Sequence, residues 1–400
     1  MMRYSHYIAK RKLEDVLLAP FILAGRLVGM LRPARKSYRC FFFFPFYHTG
    51  GAEKIHAQIA QACGGRDCII YFTRRSVNET FYKEFAASGC DLVDISRYTD
   101  NKLLYFVNLV CRGIMSDRIN RQAEPPLVFN GHSNFAYKLA PWLNKNIRQI
   151  DLVHSLNTFS LIRIPFLSFY SSTVLISRVQ MQRHIELYRT KGVPEKVIER
   201  FHYISNASGF PARSIDGKPA APFGVLFAGR NSPEKRFGLF LRVAEVVHEA
   251  DASVQFGVIG AIDNSVDQSR YPFITFYGEM QDADRIHDLY FRHAALLLTS
   301  ETEGFPLVVI EAMANGCAII ATPVGDLPDH VKTGVQGYLL STITDEEKLV
   351  DEAARHILAL ARDGRLAMEM GARNIQYAQD HFSLATFNAS YRQLLNRTGS

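Results

Sequence analysis

Two carboxylates eight positions apart, Glu303 and Glu311, enclose the run Gly304-Phe305-Pro306-Leu307-Val308-Val309-Ile310. The apolar stretch 295–300 before them predicts a buried strand, and Pro306 suits the first turn of a helix. Glu303 then falls in the loop at the strand end. Glu311 lies about one turn inside the helix, roughly 6–8 Å further along its axis. A phosphate at that helix N-terminus would sit between the two carboxylates, which suit neutral hydroxyls on either side of it. Apolar Val308, Val309, Ile310, Ala312 and Met313 around Glu311 argue against a merely solvated acid. A second segment, Gly229-Arg230-Asn231-Ser232-Pro233-Glu234-Lys235, sets two cations around a turn whose Pro233 could open a helix, as a diphosphate clamp requires. A third, Gly50-Gly51-Ala52-Glu53, follows a strand-like FFFFPF and precedes a helix from about Ala52. Two glycines there allow a close backbone approach to an anion. Each of the last two segments alone is equally compatible with an ordinary structural turn.

Metal chemistry finds little support. Six scattered cysteines offer one C-x4-C pair, Cys63 and Cys68, with no second pair to complete a zinc site, and read as reduced buried thiols. Asp282-Ala283-Asp284 imitates a metal-binding D-x-D, but it sits at a helix start, where acids favour the dipole.

The elements that must position these residues form two strand–helix alternations. Strands are expected at 38–46, 68–73, 91–95, 127–130, 149–153, 173–177 and 201–205, with helical spacing between them. After a Gly/Pro/Ser/Ala-rich linker over 208–222, strands recur at 224–229, 254–260, 274–278, 295–300, 318–322 and 337–340. Continuous apolar strands alternating with helices predict α/β architecture: two doubly wound parallel-sheet domains that bind a ligand at their strands' carboxyl ends, facing each other across a cleft.

Taken together, GGAE (50–53), GR-x4-K (229–235) and EGFPLVVIE (303–311) resemble the retaining glycosyltransferases of family 4, over roughly Phe41–Leu395. Lesser matches are Val153-His154-Ser155, Ile176-Ser177 and the segment from Thr322 to Leu340. The resemblance implies the GT-B fold, with two Rossmann-like domains: 38–207 for the acceptor and 223–380 for a nucleotide-sugar donor. It implies a last segment, 381–400, whose helix crosses back to the first domain. It assigns Arg230 and Lys235 to the donor diphosphate, approached by Gly50 and Gly51. It gives Glu303 and the backbone of Gly304, Phe305 and Pro306 to sugar hydroxyls, the amides of Leu307 and Val308 to phosphate, and Glu311 to the ribose. His154 would lie beside the reacting sugar, alongside Arg230, Lys235 and Glu303 in the catalytic set. No metal or other cofactor is then required. Two positions depart from the family: Asn206-Ala207-Ser208-Gly209 replaces the usual Asn-Gly-Val-Asp, and Asp326 stands where a second glycine is common.

The chain has 400 residues and a net charge of +7, with 48% hydrophobic and 21% charged residues, which excludes a disordered or fibrous chain. Its charge is uneven. Residues 1–40 hold nine Lys/Arg against Glu14 and Asp15, residues 41–210 carry +7 and residues 211–400 carry −7. Val16–Leu31 is apolar but broken by Pro20, Gly25, Arg26 and Gly29, and is too short of charge-free sequence to span a bilayer. Residues 1–37 are therefore expected to form a basic amphipathic segment on an anionic membrane surface, the alternative being a helix packed on the protein itself. The stretch 102–115 could add a second such element. No nucleic-acid motif accompanies the charge. The expected activity is sugar transfer to a glycan or lipid-linked acceptor in cell-surface polysaccharide, lipopolysaccharide or glycolipid synthesis, at the cytoplasmic inner face of the membrane. An epimerase or phosphorylase of the same fold, or a non-catalytic membrane-surface protein, are the alternatives.

Overall fold

The computed structural model describes residues 3–32, 36–219, 222–262 and 266–396. Arg35 of the basic tail, positions 220–221 of the expected linker and the last four residues of the 381–400 segment lie outside the described residues. The chain divides into two compact units, Met1–Ile204 with Asn388–Ser400, and Ser205–Phe387.

The first unit is built on a parallel sheet of β1 (Cys40–Phe44), β2 (Cys68–Phe72), β3 (Asp91–Asp94), β4 (Leu127–Asn130), β5 (Arg148–Val153), β6 (Ser172–Leu175) and β7 (Phe201–Tyr203). Their order is β3-β2-β1-β4-β5-β6-β7. β1 reads CFFFF and is buried throughout because helices cover both faces of the sheet. Its side chains alternate: Phe43 packs on Tyr71 and Phe135, whereas Phe44 packs on His56, Phe85 and Phe129. Strand order reverses between β1 and β4, so the loops leaving those strands open at a switch point.

The second unit repeats the plan with β8 (Gly224–Ala228), β9 (Gln255–Ile259), β10 (Ile274–Gly278), β11 (Ala295–Leu298), β12 (Ala318–Ala321) and β13 (Gly337–Leu339), ordered β10-β9-β8-β11-β12-β13. Here the reversal lies between β8 and β11. The two most promising sequence segments, 229–235 and 303–311, leave those two strands. The final helix, Leu384–Asn396, buries Phe387, Tyr391, Leu394 and Leu395, and its residues from Asn388 onward belong to the first unit. Arg392 donates to the Ala62 carbonyl (2.8 Å), and Arg148 donates to the carbonyls of Leu394 and Leu395.

The N-terminal segment is one helix, Tyr4–Leu31, which continues through Pro20. Gly25 and Gly29, which break its apolar run in sequence, are contact points against the helix Tyr105–Asn120. A Cβ on Gly25 would lie 2.1 Å from the Val110 carbonyl oxygen, and one on Gly113 would lie 2.2 Å from that of Ile22. Arg26 locks the crossing through Ser116 (3.1 Å) and the Trp142 carbonyl (2.6 Å). The segment thus packs one face on the protein itself. Its other face leaves Leu13, Val16, Leu17, Leu23, Leu27, Met30 and Leu31 exposed, and Phe106 on the neighbouring helix and Leu103 in the turn just before it are exposed as well. Among the described residues, no helix is long and apolar enough to cross a membrane.

Gly25→Ala is expected to destabilise the protein by about 1–3 kcal/mol, the usual effect of overpacking, because backbone cannot yield as a side-chain tip can. Thermal denaturation followed by circular dichroism should show a melting temperature several degrees lower. An unchanged melting temperature would mean that the two helices are not held at this distance.

Candidate active site

At the β8–β11 switch point, Pro233–Lys235 forms a single 3-10 turn rather than opening the following helix, which begins at Phe237. Between them Arg236 adopts a left-handed conformation (φ 48°). That turn sends its guanidinium to the carbonyls of Thr299 (2.8 Å), Ile343 (2.5 Å) and Ser300 (3.3 Å). Arg236 therefore fastens the loop after β8 to the loop after β11. The consequence is a meeting of the two sequence motifs: Lys235 Nζ lies 2.5 Å from Glu303 Oε1, which also accepts from Ser300 Oγ at 2.8 Å. Arg230 stands exposed at the same turn.

Beyond Glu303 the loop is held from inside. Gly304 and Gly325 approach so closely that a Cβ on Gly325 (φ 55°) would fall 1.9 Å from the Gly304 carbonyl oxygen. That carbonyl accepts from the Asp326 amide (2.9 Å), so Asp326, the residue in place of the family's second glycine, is buried and integrated. The Phe305 carbonyl accepts from Asn206 (3.1 Å), and the Phe305 ring is buried against His330 and Phe382. These two carbonyls of the 304–306 backbone thus face the protein. Pro306 precedes the helix Leu307–Ala314 without a side-chain cap, so its first-turn amides, those of Leu307 and Val308, form the type of N-terminus that attracts anions.

Glu311 differs from its sequence picture in one respect. It is only 8% exposed, and its two oxygens accept from Ser208 (3.3 Å) and Tyr290 (3.4 Å). Both contacts are long, as expected of a carboxylate held by weakly placed hydroxyls. Ser208 belongs to the segment that departs from the family pattern, so this departure reaches the motif.

A cavity of about 170 Å³ adjoins this site, lined by Gly260, Ala261, Phe276, Gly278 and Glu279 among others. Gly260 (φ 133°) abuts Gly229, whose carbonyl oxygen would lie 1.9 Å from a Cβ there. The cavity was missed in sequence. Its only trace there is a glycine closing each of GVIG and TFYG.

In the first unit the Gly50-Gly51 turn starts the helix Gly51–Cys63. Thr49 is braced by Asn78 (3.0 Å) and Thr80 (2.8 Å), and Glu53 is buried beneath the turn. At the ends of the central strands three histidines gather: His56 from that helix, His132 after β4 and His154 after β5. His154 Nε2 lies 2.9 Å from His56 Nε2. The His132 ring is 6.4 Å from that of His154. Below them Arg163 and Asp151 are fully buried 3.6 Å apart, and Tyr137 donates to Asp151 at 2.7 Å. Burial, reinforced by the Arg163 cation, holds the His154 imidazolium down at about 4 and that of His132 at about 3. Among these residues the sequence singled out only His154. The others lie far apart in the chain, and only the fold makes them neighbours.

Among the described residues, no group of three or more His, Cys, Asp or Glu side chains is placed to hold a metal ion. Asp282 instead caps the helix Ala283–Arg292, accepting from the amides of Asp284 (3.0 Å) and Arg285 (3.2 Å).

Residues 222–363 match the family described as glycosyl transferases group 1. The D-inositol 3-phosphate glycosyltransferase of Saccharomonospora viridis is 29% identical over 191 residues, 44% of this chain and 43% of that protein. The lipopolysaccharide 1,2-N-acetylglucosaminetransferase of Salmonella typhimurium is 24% identical over 169 residues, 39% of this chain and 44% of that protein. The chain spans less than half the length of these curated relatives. Anabaena HepE, solved in complex with UDP-glucose, superposes with a TM-score of 0.67 at 17% identity, over 89% of this chain and 98% of that one. The reversed strand order in two parallel sheets and the likeness to HepE show the GT-B fold, and within it residues 222–363, which hold the Lys235–Glu303 junction, are similar to the glycosyl transferases group 1.

Proposed function

We propose that the protein is a retaining glycosyltransferase of the family 4 type, moving a sugar from a nucleotide-diphosphate donor to a glycan or lipid-linked acceptor at a membrane surface. The Lys235–Glu303 junction carries this reading. A diphosphate leaving group gathers negative charge as the glycosidic bond breaks, and fixed cations stabilise that charge most where water is excluded. Lys235, mostly buried, and Arg230, exposed at the same turn, supply those cations, and the amides of Leu307 and Val308 add the helix N-terminus. Arg230 and Lys235 do this without a metal ion. Glu303, whose charge is already paired with Lys235, accepts hydrogen bonds from sugar hydroxyls and orients the donor. Glu311 takes the ribose hydroxyls in place of its long contacts to Ser208 and Tyr290. The cavity beside Gly260 suits a flat base. Gly50, Gly51 and His154 keep the roles that the family resemblance gives them, and the departing phosphate oxygen takes the acceptor's proton as its hydroxyl attacks from the same face. Incubation with nucleotide sugars and a glycan acceptor, followed by proton NMR of the product's anomeric signal, tests this. The expected product keeps the donor's anomeric configuration, and an inverted product would overturn the retaining assignment.

The acceptor side of the proposal rests on the helix Tyr4–Leu31. Its exposed apolar stripe lies beside Lys10, Lys12 and Arg32. Apolar burial in the headgroup layer, with about 1 kcal/mol per basic residue near an anionic surface, would dock the protein on the cytoplasmic face of the cell membrane. Full-length protein should float with vesicles containing phosphatidylglycerol. The triple variant Leu17→Glu, Leu23→Glu, Leu27→Glu changes exposed positions only, and should remain in the soluble fraction. Equal flotation of the two would remove the membrane from the account.

A further inference from the structure

His56 has no part in the proposed donor contacts, yet its ring is fully buried, stacked on Phe44 (4.6 Å between centroids), with Nε2 2.9 Å from Nε2 of His154. Two facing imidazole nitrogens at that distance share one proton: one ring donates and the other accepts. The environment decides which. His56 Nδ1 is buried without a hydrogen-bond partner. Were His56 the acceptor, its proton would sit on Nδ1 as a buried N–H with nothing to receive it, a rarer and costlier arrangement than an unused lone pair. His56 is therefore the Nε2–H donor. His154 accepts at Nε2 and, held neutral by burial and by Arg163, keeps its own proton on Nδ1, on the other side of the ring. His154 is partly exposed, and its Nδ1 is not among the buried nitrogens left without a partner. The approach of the rings is itself built in: a Cβ on Gly131 would fall 2.3 Å from Phe44 and 3.0 Å from His56 Nε2.

We propose that His56 is a positioning residue that fixes His154 as a neutral Nδ1–H donor, so that His154 recognises a ligand oxygen such as a sugar hydroxyl and does not serve as a general base. The ligand assignment rests on the glycosyltransferase reading; the tautomer assignment does not. Long-range proton–nitrogen NMR of the full chain labelled at histidine reads the tautomers directly, with His154 identified by the loss of its signals in His154→Asn. At pH 7 the native chain should show His154 protonated on Nδ1 and His56 on Nε2. In His56→Phe the His154 proton should redistribute towards Nε2. His56→Gln, whose amide donates in place of the ring, should restore the Nδ1–H form. Donor turnover should follow, falling about tenfold in His56→Phe and recovering in His56→Gln. A native chain with His154 protonated on Nε2 would overturn the proposal, as would a His154 tautomer unchanged in His56→Phe. Absence of any sugar turnover in the native chain, with the tautomers as stated, would defeat the glycosyltransferase reading and leave the pairing intact.

Discussion

Lys235→Ala should lower sugar-donor turnover by about 10²–10³-fold, the loss typical of removing one preorganised group from a developing charge. Lys235 is held in place from several directions. Its amide donates to Ser232 (2.9 Å), Thr299 Oγ1 donates to its carbonyl (2.9 Å), and Arg236 ties the next residue to the end of β11. The ammonium is thus preorganised, and alanine removes the charge without releasing the loop. Glu303 retains Ser300 at 2.8 Å in the variant, which limits the structural cost. Glu303→Gln should act differently. It preserves shape and one acceptor but loses the charge that pairs with Lys235, so weaker donor binding should account for most of its effect. Steady-state assay of nucleotide-diphosphate release from both variants checks these expectations, and near-native activity in both would remove the junction from the catalytic account.

Acidification should destabilise the protein steeply between about pH 6.5 and 4. In the native chain His154 and His184 are held down at about 4 and His132 at about 3, and His56 well below the ordinary histidine value; burial is the first cause in each. In the unfolded chain all four titrate near 6.5. Below that pH the unfolded chain binds protons that the folded chain refuses, so the stability present above pH 6.5 is lost as pH falls. Asp151 works in the opposite sense. Burial raises its carboxyl despite Arg163, so the folded chain gains a proton there before the unfolded chain does. Within this cluster, four histidines against one carboxylate leave a net excess of about three protons on the unfolded side; elsewhere burial also holds His293 and His356 down and raises Asp15, which partly offset one another. Each proton of that excess is worth about 1.4 kcal/mol per pH unit, which gives an order of 4 kcal/mol per unit in that window. A melting temperature at pH 5 more than 10 °C below that at pH 7.5 is expected. A flat profile would mean that these rings already carry charge or stand open to water in the native state.

The sheets were readable because their strands are continuous apolar runs. CFFFF, CIIYF and ALLL are apolar runs of strand length, and all three are buried strands. The segments 229–235 and 303–311 stood out because each is a local sequence at one strand end. What the sequence did not show depends on contacts across the chain. Gly25 looks like a helix breaker until Gly113, 88 positions away, is seen to need the space. Glu311 stands out in the sequence as one end of a motif, but its contacts to Ser208 and Tyr290 appear only in the fold. His56 and His132 carry no local signature, since nothing near either residue announces that β5 will deliver His154 beside them.

Calorimetric titration of nucleoside diphosphates and their sugars against the native chain and Lys235→Ala tests the central claim most directly. The account predicts that at least one nucleotide-diphosphate sugar binds the native chain and that the variant loses about tenfold or more of that affinity. Failure of every nucleoside diphosphate and diphosphate sugar to bind, or equal binding by the two proteins, would contradict it.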